Sequence, residues 1–274
     1  MSYSFQTNVT ALLAQNNLAV NSRFQSQTIQ RLTSGFRINS SGDDAAGLAV
    51  ANGFRSQVAE LQQGVRNAND GVATLQSVDG GLNNIGKILD RLKTLASQSA
   101  SDTFQGDRAT LDNEFQALKL EINRQAQNIH LDAAGSFSTT AIAVYVGGGS
   151  TQPNSQVTVD LQGAGVDSTG LGVSASVITD QTTSLAALTA IGTALTNLGT
   201  TQGKVGTGQN TLQYAVQLAQ SQIATFSASE SSLRDADIAA EASNLTKAQT
   251  LQQASLAALA QANSAPQAVL ALFR

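Results

Sequence analysis

GFRSQVAELQQGVRNANDGVATLQSVDGGLNNIGKILDRLKTLASQS, residues 53–99, decides the fold. Stepping alternately four and three residues from Phe54 meets Val58, Leu61, Val65, Ala68, Val72, Leu75, Asp79 and Leu82, and the stripe continues through Ile85, Leu89, Leu92 and Leu95. This is the seam of a supercoiled helix. A helix of that length is a rod of roughly 65–70 Å, against ~11–12 residues for a typical globular helix. Such a rod cannot bury its stripe alone, so the spacing predicts a bundle.

Working outward, residues 104–129 repeat the pattern as Phe104, Arg108, Leu111, Phe115, Leu118, Ile122, Gln125 and Ile129, and a short turn before them sets this helix antiparallel to the rod. From Leu185 a second rod reads Leu188, Ile191, Leu195, Leu198, Gln202, Val205, Gln209, Leu212, Val216, Ala219, Ile223, Phe226, Glu230 and Leu233. Between the two, glycines punctuate three apolar alternations, AIAVYV (141–146), QVTVDL (156–161) and GVSASVI (172–178), which predict three short strands. Residues 131–183 are therefore expected to be a small β-rich variable segment, open to replacement.

Upstream, Leu12, Leu13, Leu18, Val20, Phe24, Ile29 and Leu32 lie at helical spacing among Asn, Gln, Ser and Thr, with Arg23 and Arg31 the only charges before Arg37. Gly35 suits a left-handed helix cap, and Ser40 to Asp44 supply caps for the next helix. At the other end Ile238, Ala242, Leu245, Gln249, Gln252, Leu256, Leu259, Asn263, Pro266, Leu270 and Phe273 continue a stripe with polar members. Both terminal helices lack the charged face that keeps a lone helix in water, so each needs neighbours on more than one side. The expected architecture is mainly α: a long coiled-coil-like helical bundle with paired N- and C-terminal helices and a small central β-element. Residues 1–41 with 233–274 form a terminal-helix domain and residues 42–232 a helical rod domain.

The 274 residues carry Lys+Arg 15 against Asp+Glu 19, a formal charge of −4, which disfavours nucleic acid as a partner. There is no cysteine and one histidine, His130, so thiolate sites, a His-based triad and a two-His metal site are excluded within one chain. His130 reads as a helix-end or surface residue. Asp43, Asp44, Asp235, Asp237 and Glu241 sit at expected helix starts, where acids complement the helix dipole. Gly147 to Gly149 lack the Lys-Ser/Thr of a phosphate loop. No enzyme, cofactor or metal is expected. No apolar run is long enough for a membrane span, and MSYSFQTNV lacks the charge and apolar core of a cleaved secretion signal.

The runs LTSGFRINSSGDDAAGLAV (32–50) and RNANDGV (66–72), with SSLRDADIAAEASNLTKAQTLQQASLAALAQANSAPQAVLALFR (231–274), resemble bacterial flagellin over about three quarters of the chain. The resemblance implies a secreted, extracellular structural subunit that self-assembles in many copies into the flagellar filament of swimming cells, in a short form with little central decoration. A hook–filament junction protein of the same family is the alternative. It implies further partners: an export chaperone and the flagellar type III export apparatus, the filament cap, and hook-associated proteins. The terminal stripes then become the assembly interface, through Val9, Leu13, Val20, Phe24, Leu32, Leu245, Leu256, Leu259, Leu270 and Phe273. A lateral contact at Arg91, Leu95, Gln98 and Glu114 is implied as well. In resembling flagellins that patch overlaps the surface read by an innate immune Toll-like receptor; here Thr94 stands where an acidic residue is common, which argues against recognition.

Overall fold

The computed structural model describes residues 7–149 and 155–271, with side chains to Ser264. Its elements are α1 (Val9–Ser34), α2 (Ala45–Ser99), α3 (Arg108–Asn128), α4 (Ser136–Thr139), β1 (Ile142–Tyr145), β2 (Gln156–Val159), α5 (Gln181–Arg234) and α6 (Ile238–Ala271). They form two compact units, Met1–Ser56 with Thr225–Arg274, and Gln57–Ala224.

In the 57–224 unit, α2 and α5 pair antiparallel. A Cβ on Gly71 would stand 3.2 Å from Leu212, one on Gly86 3.4 Å from Leu198, and Gln202 donates to Asn83 at 3.2 Å between them. The heptad stripe of α2 is the core: Leu61, Ala68, Leu75, Leu82, Ile85, Leu89, Leu92 and Leu95 are all buried, with Val78 taking the place expected of Asp79. Helix α3 runs back along α2, as the short turn predicts. A Cβ on Gly81 would meet Ile129, Arg91 bonds Glu114, and the Arg108 Nε donates to the Ser99 carbonyl at 3.1 Å.

The stripe of α5 departs from expectation by one residue. Ile191, Leu198, Val205 and Leu212 are buried, but their companions are Ala187, Ala194, Thr201 and Gly208 rather than Leu188, Leu195, Gln202 and Gln209. Small side chains at every seventh position let neighbouring backbone come close. At Gly208 an added Cβ would lie 2.5 Å from Val159 of β2 and 3.3 Å from Leu75 of α2.

The antiparallel hairpin β1–β2 pairs Ile142 with Val159 and Tyr145 with Gln156. It docks on α2 at Gly64, whose Cβ would clash with the Val146 carbonyl oxygen at 1.7 Å, so only glycine admits this approach. Asn67 donates to the Tyr145 carbonyl at 3.1 Å. Glu60 accepts the Tyr145 hydroxyl and, at 2.8 Å, the Gly149 N–H. Those two bonds, the Tyr145 hydroxyl first, hold the Glu60 carboxyl below the usual carboxylate range.

The third expected strand is not a strand. Residues 172–178 form turns that bury Val173 and Ile178, and α3 supplies the partners that a neighbouring strand would have offered. Four α3 side chains at heptad-like spacing meet this strap. Asp112 accepts the Ile178 N–H at 2.9 Å, Gln116 donates to the Ser176 carbonyl at 3.3 Å, and Asn123 accepts the Ser168 N–H at 2.8 Å. Between them Lys119 gives its three ammonium protons to Gln116 Oε1, Ser174 O and Ser176 O at 2.9, 2.6 and 3.0 Å. Burial pushes the Lys119 pKa down, against the nearby Asp112 charge. Period-2 apolarity picked out Val173, but Ala175 and Val177 on the same phase are exposed, the buried Ile178 lies off it, and the pattern carried no information on where the backbone bonds go.

His130 ends α3 in the left-handed region, φ 58°, with its ring edge-on to Phe137. The bonds Leu131 N–H to Ala126 O and His130 N–H to Gln127 O close a Schellman cap.

In the other unit α1 and α6 are antiparallel: Asn8 donates to the Ala262 carbonyl at 2.9 Å, Asn21 to Ser255 Oγ at 2.8 Å, and Arg31 pairs with Glu241 at 3.2 Å. Gly35 caps α1 at φ 74° as expected. Asp44 accepts the Gly47 N–H at 2.8 Å and Asp237 those of Ala239 and Ala240 at 2.9 and 3.1 Å, so these acids are N-caps. The stacked rings of Phe54 and Phe226, 5.7 Å apart, join α2 to α5 here.

Candidate assembly surface

The α1–α6 pair carries a row of small residues on its shielded side and many of its large ones outward. Ala14, Asn21 and Thr28 of α1 recur every seven residues on the shielded side, and on α6 so do Glu241, Ala248, Ser255 and Ala262. Outside stand Val9, Leu12, Leu13, Val20 and Ile29 on α1 and Ile238, Leu251 and Leu256 on α6; Leu13 is 58% exposed and Val20 60%. Of the expected interface residues, Val9, Leu13, Val20 and Leu256 are exposed, while Phe24, Leu32, Leu245 and Leu259 are half-buried along the seam. The side chains of Leu270 and Phe273 lie outside the described residues. Leu12, Ile29, Ile238 and Leu251 belong to the same outward surface; the first three lie in the sequence stripes without having been assigned to the interface, and Leu251 lies off their phase.

Exposing so much aliphatic surface is costly at about 25 cal/mol per Å², and apart from Arg23, Arg31, Glu241 and Lys247 the polar residues of these helices are uncharged Asn, Gln, Ser and Thr. A surface of this kind is stable when copies cover it.

The two linkers at the base of the pair are bonded to each other. Phe36 and Asp235 form an antiparallel bridge, the Arg37 N–H donates to the Arg234 carbonyl at 2.6 Å, and the Ala236 N–H donates to the Gly35 carbonyl at 2.9 Å. The Arg234 guanidinium lies 4.1 Å from the Phe36 ring centroid, and Arg37 reaches the Leu233 carbonyl at 2.7 Å. In the loop before α2, Asp43 accepts the Ser40 and Asn39 N–H groups and Gln27 Nε2, which lowers its pKa, the Ser40 backbone bond contributing most.

The second expected patch is divided by burial. Arg91 and Glu114 form a two-pronged exposed ion pair, 2.9 and 2.7 Å, and Gln98 is exposed beside them in sequence, but Leu95 is only 1% exposed and packs beneath. Exposed pairs of this kind contribute about 0–1 kcal/mol. Among the described residues no cluster of three or more His, Asp or Glu is placed to hold a metal ion, and no helix is long and apolar enough to cross a membrane.

The comparisons with known proteins bear on the same two ends of the chain. Residues 5–140 match the model of the bacterial flagellin N-terminal helical region and residues 188–273 that of the C-terminal helical region. A flagellin of Halalkalibacterium halodurans is 34% identical over 97% of this chain and 98% of its own length. One of Listeria monocytogenes is 34% identical with the same coverage of both chains, and one of Bacillus subtilis is 31% identical, again over 97% and 98%. Matched end to end with these relatives, and carrying both terminal helical regions, the chain belongs to the bacterial flagellins and is a structural, non-enzymatic subunit of the extracellular flagellar filament.

Proposed function

We propose that the terminal helices, residues 1–41 with 233–274, are the assembly element of the subunit and form the inner core of the filament, with the rod domain 42–232 outside them. The observation that carries this reading is the outward row of Val9, Leu13, Val20 and Leu256 on helices with almost no charged face. In the free chain these helices are largely disordered, and they fold together as copies cover them. Limited proteolysis of the free chain then trims both ends, filaments resist the same protease, and the trimmed chain no longer polymerises. Burial closes the local opening that cleavage requires. The direct test is a double variant, Leu13→Gln with Val20→Gln, mixed with parent filament seeds and sedimented. Loss of the pelleted fraction is the expected result; pelleting equal to the parent's overturns the assignment.

The lateral patch is proposed in a narrower form, as Arg91, Gln98 and Glu114 supported from below by Leu95. Passage through the type III export apparatus with a chaperone, and contacts with the cap and hook-associated proteins, are consistent with this reading. Recognition by a Toll-like receptor is expected to be weak because Thr94 adds no charge. In the variable segment 131–183, change is best tolerated near Gly148, because Val159, Leu161, Val166 and Val173 are buried.

A further inference from the structure

A seam made of small residues repeating every seven positions has a weakness that is visible in its own sequence. If α6 slid along α1 by seven residues, about 10.5 Å, Ala248 or Ala262 would replace Ser255 opposite Asn21, and one small side chain would face another as before. Packing along this row therefore distinguishes the observed alignment poorly from its neighbours. Leu12, Leu13, Val20 and Leu256 point outward, while Phe24, Leu32, Leu245 and Leu259 are half-buried beside the row.

Two contacts between side chains do not survive such a slide: the Asn21–Ser255 hydrogen bond and the ion pair Arg31–Glu241, of which only the second involves charge. Glu241 is 7% exposed, the one charged member of the row Glu241, Ala248, Ser255, Ala262. Its carboxylate takes Arg31 Nη1 at 3.2 Å, while Arg31 Nε is buried with no partner. Such a pair adds little stability over a well-packed apolar substitute; its best-attested use is to set register. Below it, the linker bridge Phe36–Asp235 and the Arg234 guanidinium on the Phe36 ring hold the two chains in the same alignment.

We propose that Arg31 and Glu241 are the positioning residues that set the register of the terminal helix pair, with the Phe36–Arg234 clasp holding the alignment at its base. A slide by one heptad carries the buried Glu241 carboxylate about 10.5 Å along α1, away from the Arg31 guanidinium.

The chain has no cysteine, so engineered pairs report register directly. In assembled filaments of the full-length protein, where on the proposed reading the pair is folded, Asn21→Cys with Ser255→Cys reads the observed alignment, and Asn21→Cys with Ala248→Cys or Ala262→Cys reads the two slides. Disulfide yield under mild oxidation is measured for each pair in the parent, in Glu241→Ala, and in the charge exchange Arg31→Glu with Glu241→Arg. The parent is expected to favour the in-register pair strongly. In Glu241→Ala the slid pairs rise roughly tenfold or more relative to it, the change expected when a buried charge no longer penalises the slide. The charge exchange restores the parent ratio, which a merely structural loss would not do. An unchanged ratio in Glu241→Ala, failure of the exchange to restore it, or no in-register disulfide in the parent overturns the proposal.

Discussion

The 57–224 unit and the terminal helix pair are made of the same kind of antiparallel helix, and they spend their large side chains in opposite ways. In the first, Leu75, Leu82, Ile85, Leu89 and Leu92 point inward and are fully buried. In the second, Leu12, Leu13 and Val20 point outward, and small residues such as Thr28 and Ala248 are the buried members of a seam whose Phe24, Leu32, Leu245 and Leu259 are only half-buried. One unit contains its own core; the other, on the reading proposed above, completes its core against neighbouring copies. Stability and assembly are thus assigned to different residues, and substitutions of equal size should affect them separately.

The largest effect that separates them is a matched pair of truncations. Leu82→Ala removes a wholly buried side chain and is expected to cost about 2–5 kcal/mol in urea unfolding of the free chain. Leu13→Ala, on an exposed position, is expected to stay within about 0.5 kcal/mol in the same measurement while reducing the sedimentable fraction. Equal unfolding costs would dissolve the contrast.

Next come the helix-interior glycines. Gly64→Ala and Gly208→Ala drive a methyl group into the Val146 carbonyl and into Val159, and are expected to destabilise by about 1–3 kcal/mol. Gly199→Ala, where nothing lies within 4 Å, is expected to stabilise by about 0.5–1 kcal/mol. Thermal unfolding of the three variants checks both signs.

Replacing His130 by glycine relieves a left-handed non-glycine residue at a Schellman cap, and about 1 kcal/mol of added stability is expected in the same assay.

The smallest effect is local and pH-dependent. The folded-state pKa of Glu60 is depressed, so its contribution is complete above the ordinary carboxyl value of 4.5 and is lost as pH falls through the folded value. Amide exchange at Gly149, corrected for its intrinsic pH dependence, is expected to accelerate over that acid range. Glu60→Gln is expected to remove the acceleration; its persistence would assign the hairpin tie to other groups.

The terminal and rod helices, their antiparallel order and their capping residues Gly35, Asp44 and Asp237 were legible because each depends on period or local backbone chemistry. The same holds for the family, carried by long runs at both ends. The exposed half of the terminal stripes was legible in part, Val9, Leu13, Val20 and Leu256 through spacing. The contacts across elements were not. A four-three stripe defines a face only to within about one residue, so the burial of Ala187 and Gly208 in place of Leu188 and Gln209 depended on how closely Val159 and Leu75 approach α5. Alternation at 172–178 reported the burial of Val173 but not that of Ile178, and left Ala175 and Val177 on the exposed side; the backbone there is completed by Asp112, Gln116 and Lys119, some sixty residues away in the chain. Periodicity in a sequence records which side chains leave water; which groups then meet, and in what register, is decided only when distant segments are brought together.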